Sequence, residues 1–437
     1  MDKNKLANIS KSDDMSLIIL CLFICSMLFE IYNLIFINYS LFKTVKRLIG
    51  NKRIFLRNMQ NVINFHLFIP VLYEEEALKK IINHLLKIYY KNYKIYILTT
   101  QKNVLKHDNL QSIIDTALSL KKQYPHKIDV IHYPYTFGNK ASQLNYALQF
   151  IQDEPDSYIG IYDVDSVPDL NTLSEVEQEI LKLQNKAIVI QQASLFFENM
   201  QHISSYMKLE ALLQTKRSLG IEIPTYINTV NQYKNPFYSI PYCVGHGLFV
   251  KTKFILEQNG FLEPIEDVPF GVRLAAKRLP IIPCLHTFDN SEVPKNILNL
   301  FKQSGMWFYC TLSGFKEAWS LKQTKNRKSI GIIFKSFLDI YSWVYFLIYI
   351  ITGVYLSVQG TYWIWCVSIP LVFANALISI HYVLKVYESK KGFSVTLWNK
   401  ISFILLYPIR ESIRGLAPLC YIFSLLKLKK RRKQNGE

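Results

Sequence analysis

"SYIGIYDVDSVPDL", Ser157 to Leu170, is an apolar run that ends in two aspartates one residue apart, Asp163 and Asp165. Ile159, Ile161, Val164 and Val167 have the character of a buried strand and the turn after it. Carboxylates at that place have two readings. An ordinary turn or helix cap uses aspartate in this way. So does a site for a divalent cation, which needs one or two carboxylates and leaves open positions for substrate oxygens. The surrounding chain has to decide.

Upstream, short apolar runs alternate with helical patterns. "NFHLFIPVLY" is followed by "EEEALKKIINHLLKIYY", where Leu78, Ile81, Ile82, Leu85 and Leu86 recur at helical spacing. "KIYILTT", "LQSIIDTALSLKKQY", "KIDVIHY" and "KASQLNYALQFIQ" continue the alternation up to Asp163. Strand–helix repetition predicts an α/β domain with a parallel sheet and helices on both faces. Such sheets bind ligands at the C-terminal ends of their strands, where Asp163 and Asp165 fall.

Other motifs flank the aspartates. "PYTFGNKASQLNYAL" (Pro134 to Leu148) has a glycine turn and then Lys140 at a predicted helix start, a combination that favours phosphate. A solvated lysine at an ordinary helix start fits the same residues. "PYCVGHGLFVK" sets Gly245 and Gly247 around His246, which suits an unusual turn or a backbone approaching a ligand. His246 is a candidate partner for an acceptor hydroxyl, or a buried histidine in a turn. "FLEPIEDVPFGVRLAAK" places Glu266 and Asp267 at a helix start. They suit proton abstraction from a hydroxyl, and equally simple N-terminal capping. In "NILNLFKQSGMW", Gln303 and Trp307 share a helix face at i, i+4. The indole suits a sugar ring or a membrane-interface anchor.

Composition bounds the setting. The 437 residues carry a net charge of +18, yet half are hydrophobic and 14% are aromatic, which points to a membrane protein with basic flanks and away from a nucleic-acid binder. The seven cysteines show neither metal-ligand spacing nor a disulfide framework, as in a reducing compartment. Residues 15–37, 337–358 and 362–384 are predicted membrane spans, the first carrying a single charge, Glu30. Lys43, Lys46, Arg47, Lys52, Arg53 and Arg57 follow the first span with no acid among them. The positive-inside rule then places residues 1–14 outside and the domain at 61–310 in the cytoplasm. Residues 38–60 read as a basic linker and 311–336 as a basic or interfacial linker. Residues 397–426, broken by Pro408, Arg410, Glu411 and Arg414, read as interfacial or re-entrant helices with their arginines among lipid headgroups. Residues 427–437 form a basic tail.

With these pieces in order, the chain resembles the membrane-bound family-2 glycosyltransferases, the group that includes cellulose and hyaluronan synthases. The resemblance covers residues 60 to 310 and rests on "IPVLYEEE", "GNKASQLN", "DVDS", "GHGLFVK", "IEDVPFGVRLA" and, in part, "QSGMW". It implies a GT-A, Rossmann-like fold and an inverting enzyme using a divalent cation, Mg²⁺ or Mn²⁺. It implies Asp165 as metal ligand, and Asp163, Lys140, Asn145 and Glu74 as contacts to a nucleotide-sugar. Asp267 would be the general base supported by Glu266, and His246, Gln303 and Trp307 would hold the acceptor. The acceptor expected is a lipid-linked or nascent glycan at the inner membrane, with anionic lipid and a glycan-assembly complex as partners and no nucleic acid. A processive synthase that secretes its product and an inactive scaffold are the alternatives.

Two departures qualify the resemblance. The second strand ends "YILTTQ" without the acidic pair used for base recognition. Met306 stands where the family's Q-x-x-R-W motif has arginine, with Lys302 or Arg273 as possible substitutes.

Overall fold

Strand β1 (Phe65–Pro70) is buried almost along its whole length, as a strand covered on both faces must be. The structure is a computed structural model and describes residues 3–50, 60–72, 74–103, 111–321, 328–423 and 425. Helices α1 (Lys3–Tyr32) and α2 (Asn38–Gly50) precede β1. After it come α3 (Glu75–Leu85), β2 (Tyr93–Thr100), α4 (Gln111–Gln123), β3 (Ile128–Tyr133), α5 (Lys140–Leu148) and β4 (Tyr158–Ile161). These are the alternating elements expected from the sequence. In α3, Leu78, Ile81, Ile82 and Leu85 form the buried stripe.

The second half is built differently. It contains β5 (Val167–Pro168), α6 (Thr172–Lys182), β6 (Val189–Leu195), α7 (Ser205–Arg217), α8 (Ile223–Val230) and β7 (Leu248–Lys251). Then follow α9 (Thr252–Glu257), α10 (Val268–Ala276) and β8 (Ile281–Asn290). The eight strands form one sheet in the order β3-β2-β1-β4-β7-β6-β8-β5. The first four are parallel, as expected, but β7 runs antiparallel between β4 and β6, and β5 antiparallel to β8. The purely parallel expectation is therefore corrected to a mixed sheet. The functional consequence lies in the register. Ile161 pairs with Leu248, so the segment entering β7 arrives at the edge where β4 delivers Asp163. One core covers one sheet face beneath α3, α4 and α6, and a second covers the other beneath α5, α9 and α10.

Helices α11 (Ile297–Leu321), α12 (Lys328–Val358), α13 (Trp365–Lys391) and α14 (Leu397–Arg414) complete the chain. Among the described residues, three helical stretches are long and apolar enough to cross a membrane: Met15–Gly50, Ile330–Val358 and Tyr362–Lys391. Glu30 is fully buried among them. It accepts hydrogen bonds from Asn375 Nδ2 at 2.7 Å and Tyr345 Oη at 2.8 Å, which satisfies the one acid in the first span.

Several expected linkers are helices. Residues 38–50 are α2, because Leu41 and Val45 bury one side while Lys43 and Lys46 stay exposed. The 311–336 linker is the end of α11 and the start of α12, and residues 3–14 belong to α1. Lys52, Arg53, Arg57, residues 322–327 and the 427–437 tail lie outside the described residues. In α14 the arginines do not face headgroups. Arg410 is buried, with Nε 2.6 Å and Nη2 2.8 Å from Glu210 and Nη1 2.6 Å from Glu411. A buried guanidinium needs such partners, and α7 supplies Glu210. The opposite face of α14 exposes Leu405 and Ile409.

Candidate active site

Lys140 is the centre of the site. Asn139 caps α5, its Oδ1 accepting from Ser142 N at 3.1 Å while its own N–H donates to Ser142 Oγ at 3.2 Å. This fixes Lys140 in the first turn. Its Nζ donates to Asp163 Oδ1 at 2.6 Å and to the Gly245 carbonyl at 2.6 Å, and lies 3.2 Å from Glu266 Oε1. One ammonium thus joins the helix start, the end of β4, the turn before β7 and the acid pair before α10. Both glycines of that turn are required. Gly247 has φ +61°. A Cβ on Gly245 would stand 2.9 Å from Glu266 Oε1, 3.1 Å from Lys140 Nζ and 3.2 Å from Asp267 Oδ2.

The electrostatics follow from this crowding. Burial alone would lower Lys140, but Asp163 and Glu266 hold it well above the ordinary lysine range. Burial would raise Asp163, but Lys140 and His246 keep it below the ordinary carboxylate range. Asp165, which reaches solvent, is pushed up to about 6 by the protein around it and by the charge of Asp163. Asp267 caps α10, its Oδ1 accepting from Val268 N at 2.6 Å. Burial, and then the charge of Glu266, push it up to about 7.

His246 is close enough to Asp163 and Asp165 to feel both charges. Burial opposes its protonation, but the hydrogen bond and charge of Asp289 prevail and raise it to about 9. Its Nδ1–H donates to Asp289 Oδ2 at 2.6 Å. Asp289 is fully buried and also accepts from Ser166 Oγ at 2.7 Å and Val167 N at 3.0 Å. Sequence reasoning passed over Asp289. The signal was a lone acid near the end of the apolar run "IIPCLHTFDN", the same signature as Asp163. Gln191 also escaped notice. At the irregular β6–β8 pairing it accepts from Val244 N at 3.0 Å and donates to the His246 carbonyl at 2.9 Å, fixing the turn.

The remaining expected residues divide. Glu74 lies between the end of β1 and α3, on the strand edge shared with Asp163. Asn145 exchanges hydrogen bonds with Phe261, Oδ1 accepting from N at 2.7 Å and Nδ2 donating to O at 3.0 Å. Its amide clips the loop that leads to Glu266 instead of facing open space. On α11, Cys310 is raised by burial and by the charges of Asp267 and Glu266. Gly314 packs against Val268, a Cβ there standing 2.8 Å from Val268 Cγ1. Gln303, Trp307, Cys310 and Gly314 recur at i, i+4, i+7 and i+11, so the face carrying Gln303 and Trp307 is turned toward the acids. Gln303 Oε1 is buried with no partner among the described residues.

Neither substitute for the missing arginine reaches the site. Arg273 Nε donates to Glu317 Oε1 at 2.6 Å, and Lys302 is exposed. Met306 is itself 56% exposed. At the end of β2, a neutral set stands where an acid pair was missing: Thr99 Oγ1 lies 3.0 Å from His132 Nδ1, and Gln101 Oε1 2.9 Å from His132 Nε2.

Lys140 and its acids thus stand together at the ligand end of a mixed sheet. Residues 67–255 match the model of Glycosyl transferase family 2. Residues 67–255 therefore carry a glycosyltransferase domain of family 2, within a fold of GT-A architecture. Among solved structures it is similar to the mannosyltransferase PcManGT from Pyrobaculum calidifontis in complex with GDP-Man and Mn²⁺. There the TM-score is 0.50 at 12% identity, covering 91% of this chain and 99% of that one. It also matches S. aureus TarS in complex with UDP-GlcNAc, with TM-score 0.38, 13% identity, and 76% and 92% of the two chains covered. Glucosyl-3-phosphoglycerate synthase from Mycobacterium tuberculosis gives TM-score 0.33 at 10% identity, covering 55% of this chain and 74% of that one. No curated protein matches significantly.

Proposed function

We propose that this chain is a membrane-anchored inverting glycosyltransferase that moves a sugar from a nucleotide-sugar to a lipid-linked or nascent glycan acceptor on the cytoplasmic face. The observation that carries the reading is the convergence of Lys140, Asp163, Glu266 and Asp267 on Gly245 and its neighbours. Lys140 is free to exchange its carboxylate partners for the donor's diphosphate. In this reading Glu74 and Asp163 contact the nucleotide, and His246, protonated against Asp289, donates toward the leaving phosphate.

A divalent cation fits the donor set. Five carboxylates (Asp163, Asp165, Glu266, Asp267 and Asp289) stand against two cations, Lys140 and His246, before any diphosphate arrives. Among the described residues no group of three His, Cys, Asp or Glu side chains is arranged to hold a metal by itself. Mg²⁺ and Mn²⁺ sites of this chemistry use one or two carboxylates and complete the shell with phosphate and water. Asp165, solvent-reached and raised to about 6, is the carboxylate that such a cation would relieve. The chemistry supplied by a cation held there is neutralisation of charge on the departing diphosphate.

Asp267 performs the acid–base step. Its Oδ2 takes the proton of the acceptor hydroxyl as that oxygen bonds to the anomeric carbon and the carbon–phosphate oxygen bond breaks. A single displacement inverts the centre. Gln303 and Trp307 supply an amide and an indole for the acceptor. The basic residues after the first span favour a cytoplasmic domain at the inner membrane. Membranes containing the chain, given a panel of radiolabelled nucleotide-sugars with Mn²⁺ or Mg²⁺, should transfer label from one donor, and Asp165→Ala should abolish it. Absence of transfer from every donor, or full metal-dependent activity in Asp165→Ala, contradicts the proposal.

A further inference from the structure

A cavity of about 570 Å³ lies between the catalytic domain and the membrane helices. Its lining includes Val268, the residue after Asp267, and Trp307, together with Phe29 and Asn33 near the end of the first span. Two single π-helical turns, Asn33–Ile37 and Ser218–Glu222, meet beside it, where a Cβ on Gly220 would stand 3.3 Å from Ile37. Such turns recur at functional sites. Phe237 and Phe334 line the cavity and are 58% and 61% exposed, so they edge an opening on the side where α12 presents apolar residues outward.

Most of the walls are aliphatic and aromatic, but five cationic side chains and three carboxylates also line them. The two arginines beside Trp343 matter most. Arg217 makes one hydrogen bond among the described residues, from Nε to Tyr242 Oη at 2.9 Å, and lies 3.8 Å from Glu222. Arg414 makes none, and its Nη1 is 3.6 Å from Glu411. Their guanidinium carbons lie 5.9 and 4.7 Å from the Trp343 ring centre. Each guanidinium has five N–H donors in a fork that suits phosphate, and most are uncommitted. Tyr206 Oη and Gln214 Oε1, also on the wall, are buried polar atoms without a partner among the described residues. A glycan would need hydroxyl partners along its whole length. Tyrosine and serine hydroxyls are interspersed on these walls, but most of the wall surface is apolar and the uncommitted guanidinium donors gather beside Trp343, which is the complement of an amphiphile.

We propose that this cavity binds the acceptor as a phosphate-headed lipid. Its phosphate or diphosphate rests on Arg217 and Arg414, its chain leaves between Phe237 and Phe334, and the sugar hydroxyl it carries faces Asp267. This assignment rests on the transferase reading above, but binding can be measured without transfer.

The full chain in phosphatidylcholine nanodiscs, with EDTA to exclude cation-held donor chemistry, is titrated with farnesyl diphosphate, farnesol and pyrophosphate. Farnesyl diphosphate should bind at least tenfold more tightly than either fragment. Arg217→Gln with Arg414→Gln should weaken it tenfold or more. Leu338→Trp fills the cavity from an uncharged wall and should do the same if the arginine variant fails to fold. None of these changes should alter nucleotide-sugar affinity measured with cation. Equal binding of farnesol, equal binding of pyrophosphate, or unchanged affinity in both variants overturns the proposal, as does preferential binding of a soluble oligosaccharide. A chain that binds the lipid probe but transfers no sugar would instead sink the transferase reading alone.

Discussion

Two acid–cation–acid triads are built differently in this molecule. Lys140 sits between Asp163 and Glu266, and Arg410 between Glu210 and Glu411. In the first the Asp163 side chain is 40% exposed, and one Nζ reaches Asp163, Glu266 and the Gly245 carbonyl. In the second the side chains are 9% exposed or less, and a fork of three bonds engages two carboxylates. The open triad lies at strand ends and helix starts, where partners can be exchanged. The closed one joins α14 to α7 and has nothing to exchange. Acid–cation–acid composition therefore does not identify a site. Exposure and the surrounding elements do.

Substitution separates the two. Arg410→Gln leaves Glu210 and Glu411 buried without their cation and should cost about 3–5 kcal/mol, read as a lower Tm in detergent. Lys140→Gln should cost only about 1–2 kcal/mol, since Asp163 can be hydrated, and should instead weaken donor binding. A larger stability loss from Lys140→Gln than from Arg410→Gln would erase the contrast.

The pH profile sharpens it more gently. Asp267 accepts a proton only when ionised, and its carboxyl is raised to about 7, so kcat/KM should fall about tenfold per unit below pH 7. His246 keeps its charge up to about 9, so activity should fall again above that value. The optimum then lies between, measured at saturating cation. An acid limb near the ordinary aspartate value of about 4 would remove Asp267 as the base.

Much of the open triad was legible in the sequence. The strand–helix alternation up to Asp163 is written in local periodicity; Asp163 and Asp165 follow an apolar run, and Lys140, Glu266 and Asp267 stand at predicted helix starts. The antiparallel β7 was not legible, because pairing order depends on contacts between distant segments. His246 was noticed as an acceptor candidate, but its proton depends on Asp289, 43 residues away. The closed triad was misread for the same reason. Arg410 beside Pro408 resembles an interfacial arginine until Glu210, 200 residues earlier, is placed beside it. Asn145 was read as a ligand contact although its amide is engaged by Phe261.

The most direct test of the account is one titration of nucleotide-sugar donor with Mn²⁺, followed by transfer, in the Asp267→Asn chain. Asp267 is assigned to the acceptor's proton and not to the donor. The variant should bind donor within about threefold of the unsubstituted chain while transfer falls by about 10²–10⁴. Transfer retained within tenfold, or donor binding lost together with transfer, would contradict the division of the site into a donor half at Asp163 and Asp165 and a proton-accepting half at Asp267.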